Sequence, residues 1–192
     1  MRRAYDRIGF YAVVLVCNIM TWGMFQVLDM PRFDSVQATT FAVSPVKPGA
    51  PTPIVGKPVR ITVPDVGIDV NVADGSFDVD SQTWTISDGA AYFALASVPA
   101  NDQKGTTLLY GHARPNMFEP LARASSSSIA YVYTDTAKVF TYRFASVREV
   151  VPTDTSVFTE TGPPTLVMQT CSGPWDRYRA LYSFSYVEVK SV

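Results

Sequence analysis

The chain has 192 residues with a formal net charge of −1, 47% apolar and 12% aromatic residues, one histidine and two cysteines. That length allows one ordinary domain with extensions, and the charge balance gives no footprint for nucleic acid. Two cysteines leave no room for a disulfide-stapled scaffold.

The first element is an apolar block, Ile8 to Leu28, of 21 residues without a formal charge. About 20 such residues span a bilayer as a helix. Arg2, Arg3 and Arg7 precede the block and Asp29 closes it. The positive-inside rule then predicts a cytoplasmic N-terminus and an extracellular remainder. A cleaved signal peptide would have an apolar core of only ~7–15 residues. Residues 1–29 therefore read as a basic tip and a single-pass transmembrane anchor. Cys17 lies within it and cannot plausibly pair with Cys171.

Residues 30–58 carry Pro31, Pro45, Pro48, Pro51, Pro53 and Pro58 without helical or strand periodicity. That composition predicts an extended, semi-rigid extracellular linker. Residues 59–192 read as the outer domain. "VRITVPDVGIDVNV" gives two short strands interrupted by Pro64 and Gly67. "TTLLYGH" (106–112), "SIAYVYTD" (128–135), "KVFTYRFASVREVV" (138–151), "TLVMQTC" (165–171) and "RALYSFSYVEVK" (179–190) continue the pattern. Helical texture is limited to "GAAYFALAS" (89–97) and "NMFEPLARAS" (116–125). So many short strands predict a mostly β domain, an antiparallel barrel or sandwich with one or two short helices.

Chemistry concentrates on few residues. A lone cysteine in a chain that holds a histidine elsewhere is a candidate nucleophile. The thiolate is the attacking form, so a neighbouring cation or base has to supply it. Cys171 and His112 each close an apolar run just before a polar turn, where a strand delivers a side chain to a sheet rim. Period two groups Cys171 with Gln169 and Val167, and His112 with Tyr110 and Leu108. Attack on a carbonyl builds an oxyanion, which Arg177 or Arg179 could meet. The two share strand parity, so spacing alone does not choose between them. The bland alternative makes Cys171 a small buried hydrophobe in a non-catalytic surface-binding domain, with His112 and Arg179 pointing away.

"TLLYGH", "SVREVVPTDTSVF" and "TLVMQTC", followed by an arginine at the head of the last strand, resemble the sortases, membrane-anchored cysteine transpeptidases of bacterial cell surfaces. The likeness covers roughly residues 59–190, and the short loop 172–178 is closest to the compact class E and F members. It implies an eight-stranded β-barrel, with Cys171 as nucleophile, His112 as general acid/base and Arg179 steadying substrate and oxyanion. Arg179 matches better than Arg177 because apolar strand residues follow it directly. Thr170 matches the threonine before the nucleophile, and with Gln169 it would sit near substrate and oxyanion. Trp84 falls where many members carry a tryptophan before the histidine strand. The usual Thr-Leu-x-Thr-Cys reads differently here, with Thr165-Leu166 displaced two residues upstream.

The implied reaction is cleavage of an LPxTG-like signal between Thr and Gly through an acyl-enzyme. Transfer follows to an amine of a cell-wall precursor or a pilin lysine. The implied partners are surface proteins bearing the signal, the amine acceptor and the membrane. No cofactor or metal is implied, since Asp154 and Glu160 are too few ligands for the 6–8 oxygens calcium takes. Among other cysteine/histidine wall enzymes, papain-like hydrolases place cysteine first. L,D-transpeptidases place the two residues close together, whereas here 59 residues separate them.

Overall fold

The computed structural model describes residues 52–81 and 83–192. The anchor predicted at 8–28 and most of the linker predicted at 30–58 lie outside the described residues. Among the described residues no helix is long and apolar enough to cross a membrane.

Twelve strands follow in chain order: β1 Val55–Gly56, β2 Pro58–Val63, β3 Ile68–Gly75, β4 Phe77–Asp78, β5 Thr83–Trp84, β6 Ala91–Ala94, β7 Ala100–Asn101, β8 Thr106–Tyr110, β9 Ile129–Thr134, β10 Lys138–Val150, β11 Thr165–Ser172 and β12 Tyr178–Ser191. Eight of them close a barrel in the order β10-β12-β11-β8-β6-β3-β2-β9. Closure leaves no unpaired barrel edge for another chain to extend. The strand pattern left barrel or sandwich open, and the eight-stranded barrel that the resemblance implies is the one that forms, mostly β, with short 3-10 turns at Pro64–Val66, Glu119–Arg123, Ser156–Phe158 and Pro174–Asp176. Most pairings are antiparallel, whereas β3–β6 and β8–β11 are parallel.

Period-two alternation builds two apolar layers. Leu166 and Met168 point into the barrel with Ile61, Val132, Phe140 and Phe184. Val167, between them, points outward and packs with Leu108, Tyr110 and Leu181. Each fully buried side chain of this size stabilises by roughly 1.5–3 kcal/mol.

One expectation is corrected. The "GAAYFALAS" stretch contains strand β6 rather than a helical turn. Ala91 and Phe93 enter the inner layer, and Tyr92 and Ala94 the outer one. A strand buried on both faces shows no polar alternation, so its apolar run mimics a helix. In "NMFEPLARAS" a 3-10 turn does form, at Glu119–Arg123.

Short pairs trim the barrel. β1 pairs with β7, and β4 with β5. The Ile54 N–H donates to Asp102 Oδ1 (3.0 Å), and the Lys57 N–H to Asp135 Oδ1 (2.8 Å). These bonds tie the end of the proline-bearing stretch to the barrel.

Candidate active site

Three adjacent strands build the floor. β11 runs parallel to β8, with Gln169 opposite Tyr110, and antiparallel to β12, with Cys171 opposite Arg179. Directly opposed residues hold their Cβ atoms ~4.5–5.5 Å apart. Leu108, Tyr110, Val167 and Leu181 pack together on the outer face. By parity Gln169 and Cys171 continue that face on β11, and Arg179 continues it on β12.

The walls come from outside the barrel. Trp84 on β5 meets Tyr110 edge-on at 5.3 Å and stacks on Phe158 at 6.0 Å and 4°. Phe158 belongs to the Ser156–Phe158 turn, which Asp154 starts by accepting from the Ser156 N–H (2.8 Å). Arg148 fastens the same loop to β10 through Glu160 (2.6 Å). Between floor and walls lies a groove of about 370 Å³. Its lining includes Trp84, Tyr110, Phe158, Thr170, Cys171 and Arg179.

Sequence-predicted residues fall as follows. Cys171, Gln169, Thr170 and Arg179 all line the groove. His112 does not line it but follows Gly111, which does. Gly111 extends the parallel ladder one step, its N–H donating to the Gln169 carbonyl (3.1 Å). The carbonyl of His112 accepts from the N–H groups of Arg114 (3.0 Å) and Phe118 (3.2 Å), which fixes its backbone. The Thr170 hydroxyl is buried and donates to the Gly111 carbonyl (2.9 Å), joining the cysteine strand to the residue before the histidine. Arg177 lies on the exposed turn before β12 and is not among the lining residues.

Electrostatics separate these groups further. Burial pushes the Cys171 thiol up, Arg179 opposes that shift, and Asp176 adds to it. Arg179 Nη1 donates to the carbonyls of Asp176 and Tyr178, both at 2.9 Å. The guanidinium is thereby held by its own turn, and among the described residues Nη2 and Nε make no hydrogen bond. That turn needs glycine at Gly173, where φ is +72° and an added Cβ would lie 2.8 Å from Tyr178 Cδ2. Trp175, next but one, is 90% exposed and adopts φ 54°.

The residues that sequence reasoning missed are Phe158, Ile86 and Asp88. The first two line the groove and the third contacts His112. Phe158 closes the quoted "SVREVVPTDTSVF" stretch, whose resemblance could have flagged it, whereas Ile86 and Asp88 sit in a connecting segment placed only by tertiary packing.

The closed barrel and its groove define a β-barrel of the sortase fold. Sortase A of Listeria monocytogenes, at 20% identity, superposes with a TM-score of 0.57 over 72% of this chain and 90% of that one. Sortase C2 of Pilus Island 1 from Group B Streptococcus gives 16% identity and 0.56 over 67% and 73%. A lid mutant of sortase A from Corynebacterium diphtheriae gives 18% and 0.56 over 73% and 74%. The sortase domain family matches residues 61–185, so the chain belongs to the sortase family, whose members are cysteine transpeptidases. No curated protein matches the chain. Members of the family act on sorting-signal proteins and amine acceptors, and are generally membrane-associated enzymes of the cell surface.

Proposed function

We propose that this sortase cleaves an LPxTG-like signal between Thr and Gly through a thioester on Cys171. The observation that carries this reading is the direct pairing of Cys171 with Arg179 on the groove floor, beside strand β8, which leads through Gly111 to His112. The thiol proton passes to His112, and the thiolate attacks the Thr carbonyl carbon. The resulting oxyanion is met by Arg179 and backbone N–H donors. Collapse breaks the C–N bond, and protonated His112 gives its proton to the departing glycine amine. An amine acceptor then attacks the thioester, returns a proton to His112 and releases the thiolate. Gln169 contacts the bound signal from the floor, and Thr170 holds β11 against the histidine loop. The apolar wall of Trp84 and Phe158 suits the signal's non-polar residues.

The segment Ile8–Leu28 would anchor the enzyme with its N-terminus in the cytoplasm, and residues 30–58 would hold the barrel outside. Both substrates of such an enzyme sit just beyond the membrane.

The test is mass spectrometry of the full chain in detergent after incubation with LPxTG-type peptides. The expected product is an acyl adduct on Cys171 that an added amine removes. Cys171→Ala should form none. Absence of any adduct across a broad peptide library, with the chain verified as folded, would sink the reading.

A further inference from the structure

His112 has one side-chain partner among the described contacts, and it is Asp88. Its Nε2 lies 3.5 Å from Asp88 Oδ1, and the same oxygen accepts from Arg114 Nη1 at 2.7 Å. The carboxylate is thus shared between the imidazole and a guanidinium two residues beyond it. Arg114 holds the Asp88 carboxyl below the usual carboxylate range, with His112 contributing in the same direction. Asp88 is therefore ionised at any pH near neutrality.

The loop that carries Asp88 is pinned at two points just before it, although the carboxylate itself is 68% exposed. Tyr110 Oη donates to the Thr85 carbonyl (2.8 Å), and the Ser87 hydroxyl bonds Tyr92 Oη (2.7 Å). Tyr110 and Tyr92 belong to the outer layer that floors the groove. The chain leading to Asp88 is thus fastened at Thr85 to β8, the strand that leads to His112, and at Ser87 to β6 beside it. Of the titratable and charged groups on β11 and β12, Cys171 and Arg179 lie at the groove, with Asp176 beyond them on the turn and Asp154 on the facing loop, while Tyr182, Tyr186, Glu188 and Lys190 lie further along β12.

An ion pair this exposed stabilises the fold very little. Its consequence is for the imidazole, since the ring nitrogen that keeps a proton is set by the partner of that nitrogen. A carboxylate can only accept, so it selects the N–H form of the nitrogen it faces. We propose that Asp88, clamped by Arg114, is a positioning residue for His112: it keeps a proton on Nε2, so that Nδ1 is the nitrogen that exchanges protons with Cys171 and the amines. In the neutral ring Nδ1 then carries the lone pair that takes the thiol proton. In the protonated ring Nδ1–H is the donor to the leaving glycine amine, and Nε2–H stays with Asp88 throughout.

This inference rests on the acid/base role given to His112 above, but its first readout does not. The chain holds a single histidine, so full-length protein labelled with 15N-histidine in detergent gives one pair of ring nitrogen signals. In the neutral ring, at the alkaline end of a titration followed to its plateau, the wild type should show a protonated Nε2 and an unprotonated Nδ1. In Asp88→Asn the two shifts should move towards each other as the tautomers mix, because an amide can donate as well as accept. With LPxTG-type peptide, Asp88→Asn should lower kcat by about tenfold with KM within about twofold, the signature of a group that orients the acid/base without touching substrate. Asp88→Glu should restore a large part of kcat. Arg114→Gln, which frees the carboxylate, should move both readouts the same way and serves if Asp88→Asn misfolds. Unchanged ring shifts in Asp88→Asn, or a loss carried by KM, would overturn the proposal. Shifts that move in a protein forming no thioester would fault the reaction and leave the Asp88–His112 link standing.

Discussion

Cys171 is half-buried, and burial outweighs the neighbouring guanidinium, so its thiol is shifted upward with Arg179 opposing and Asp176 assisting. A thiol raised in the folded state is favoured there in its neutral form. The stability this adds is fully present below the ordinary thiol value and is lost as pH rises through the folded one. The same shift governs reactivity, because only the thiolate is alkylated. The iodoacetamide rate should therefore reach its midpoint above the ordinary thiol range, and Arg179→Ala should push that midpoint higher. Turnover should fall by roughly 100-fold in Arg179→Ala, as on loss of one oxyanion donor. Arg177→Ala, on the exposed turn, should leave midpoint and turnover within about twofold. Equal effects of the two substitutions would contradict the distinction drawn from the register. Spacing in the sequence put both arginines on one face. The resemblance favours Arg179, and the strand register, which sets Arg179 opposite Cys171, separates the two by geometry.

At the scale of elements, the parallel pair β8–β11 is what joins histidine and cysteine, and Gly75 at the end of β3 supports it. A Cβ there would run into the Tyr110 hydroxyl and lie 2.8 Å from Tyr110 Cζ and 2.9 Å from Tyr92 Cβ. Both rings belong to the outer layer, and Tyr110 also holds the loop that leads to Asp88. Gly75→Ala should therefore destabilise by about 1–3 kcal/mol, the usual cost of overpacking, read as a lower urea midpoint with unchanged slope. An unchanged midpoint would mean that the tyrosines move aside freely. Long strands were legible where one face is polar: the run read over 138–151 is β10 at Lys138–Val150, and that over 179–190 is β12 at Tyr178–Ser191. The two-residue strands β4 and β5 were not, because two residues define no period.

For the whole molecule, closure of the barrel makes the ends of the domain matter. Ile54 and Asp102 exchange bonds from backbone N–H to side chain and to carbonyl, and Lys57 does the same with Asp135. A chain starting at residue 59 loses these bonds and the β1–β7 pair. It should unfold at a lower urea concentration than one starting at residue 52, by about 2 kcal/mol at ~1 kcal/mol or less per bond. Identical midpoints would show that the segment adds nothing. The sequence by itself determined the strand-rich class, the positions of most barrel strands, and the candidate trio of His112, Cys171 and Arg179. The strands are written in local periodicity, His112 and Cys171 in residue types too scarce to be ambiguous, and Arg179 in the family resemblance. The tertiary structure alone decided the strand identity of Ala91–Ala94, the register that sets Arg179 opposite Cys171, and the approach of Asp88 to His112. Each of these depends on which distant segments become neighbours, and hydrophobic pattern along one strand specifies a face without naming the strand beside it.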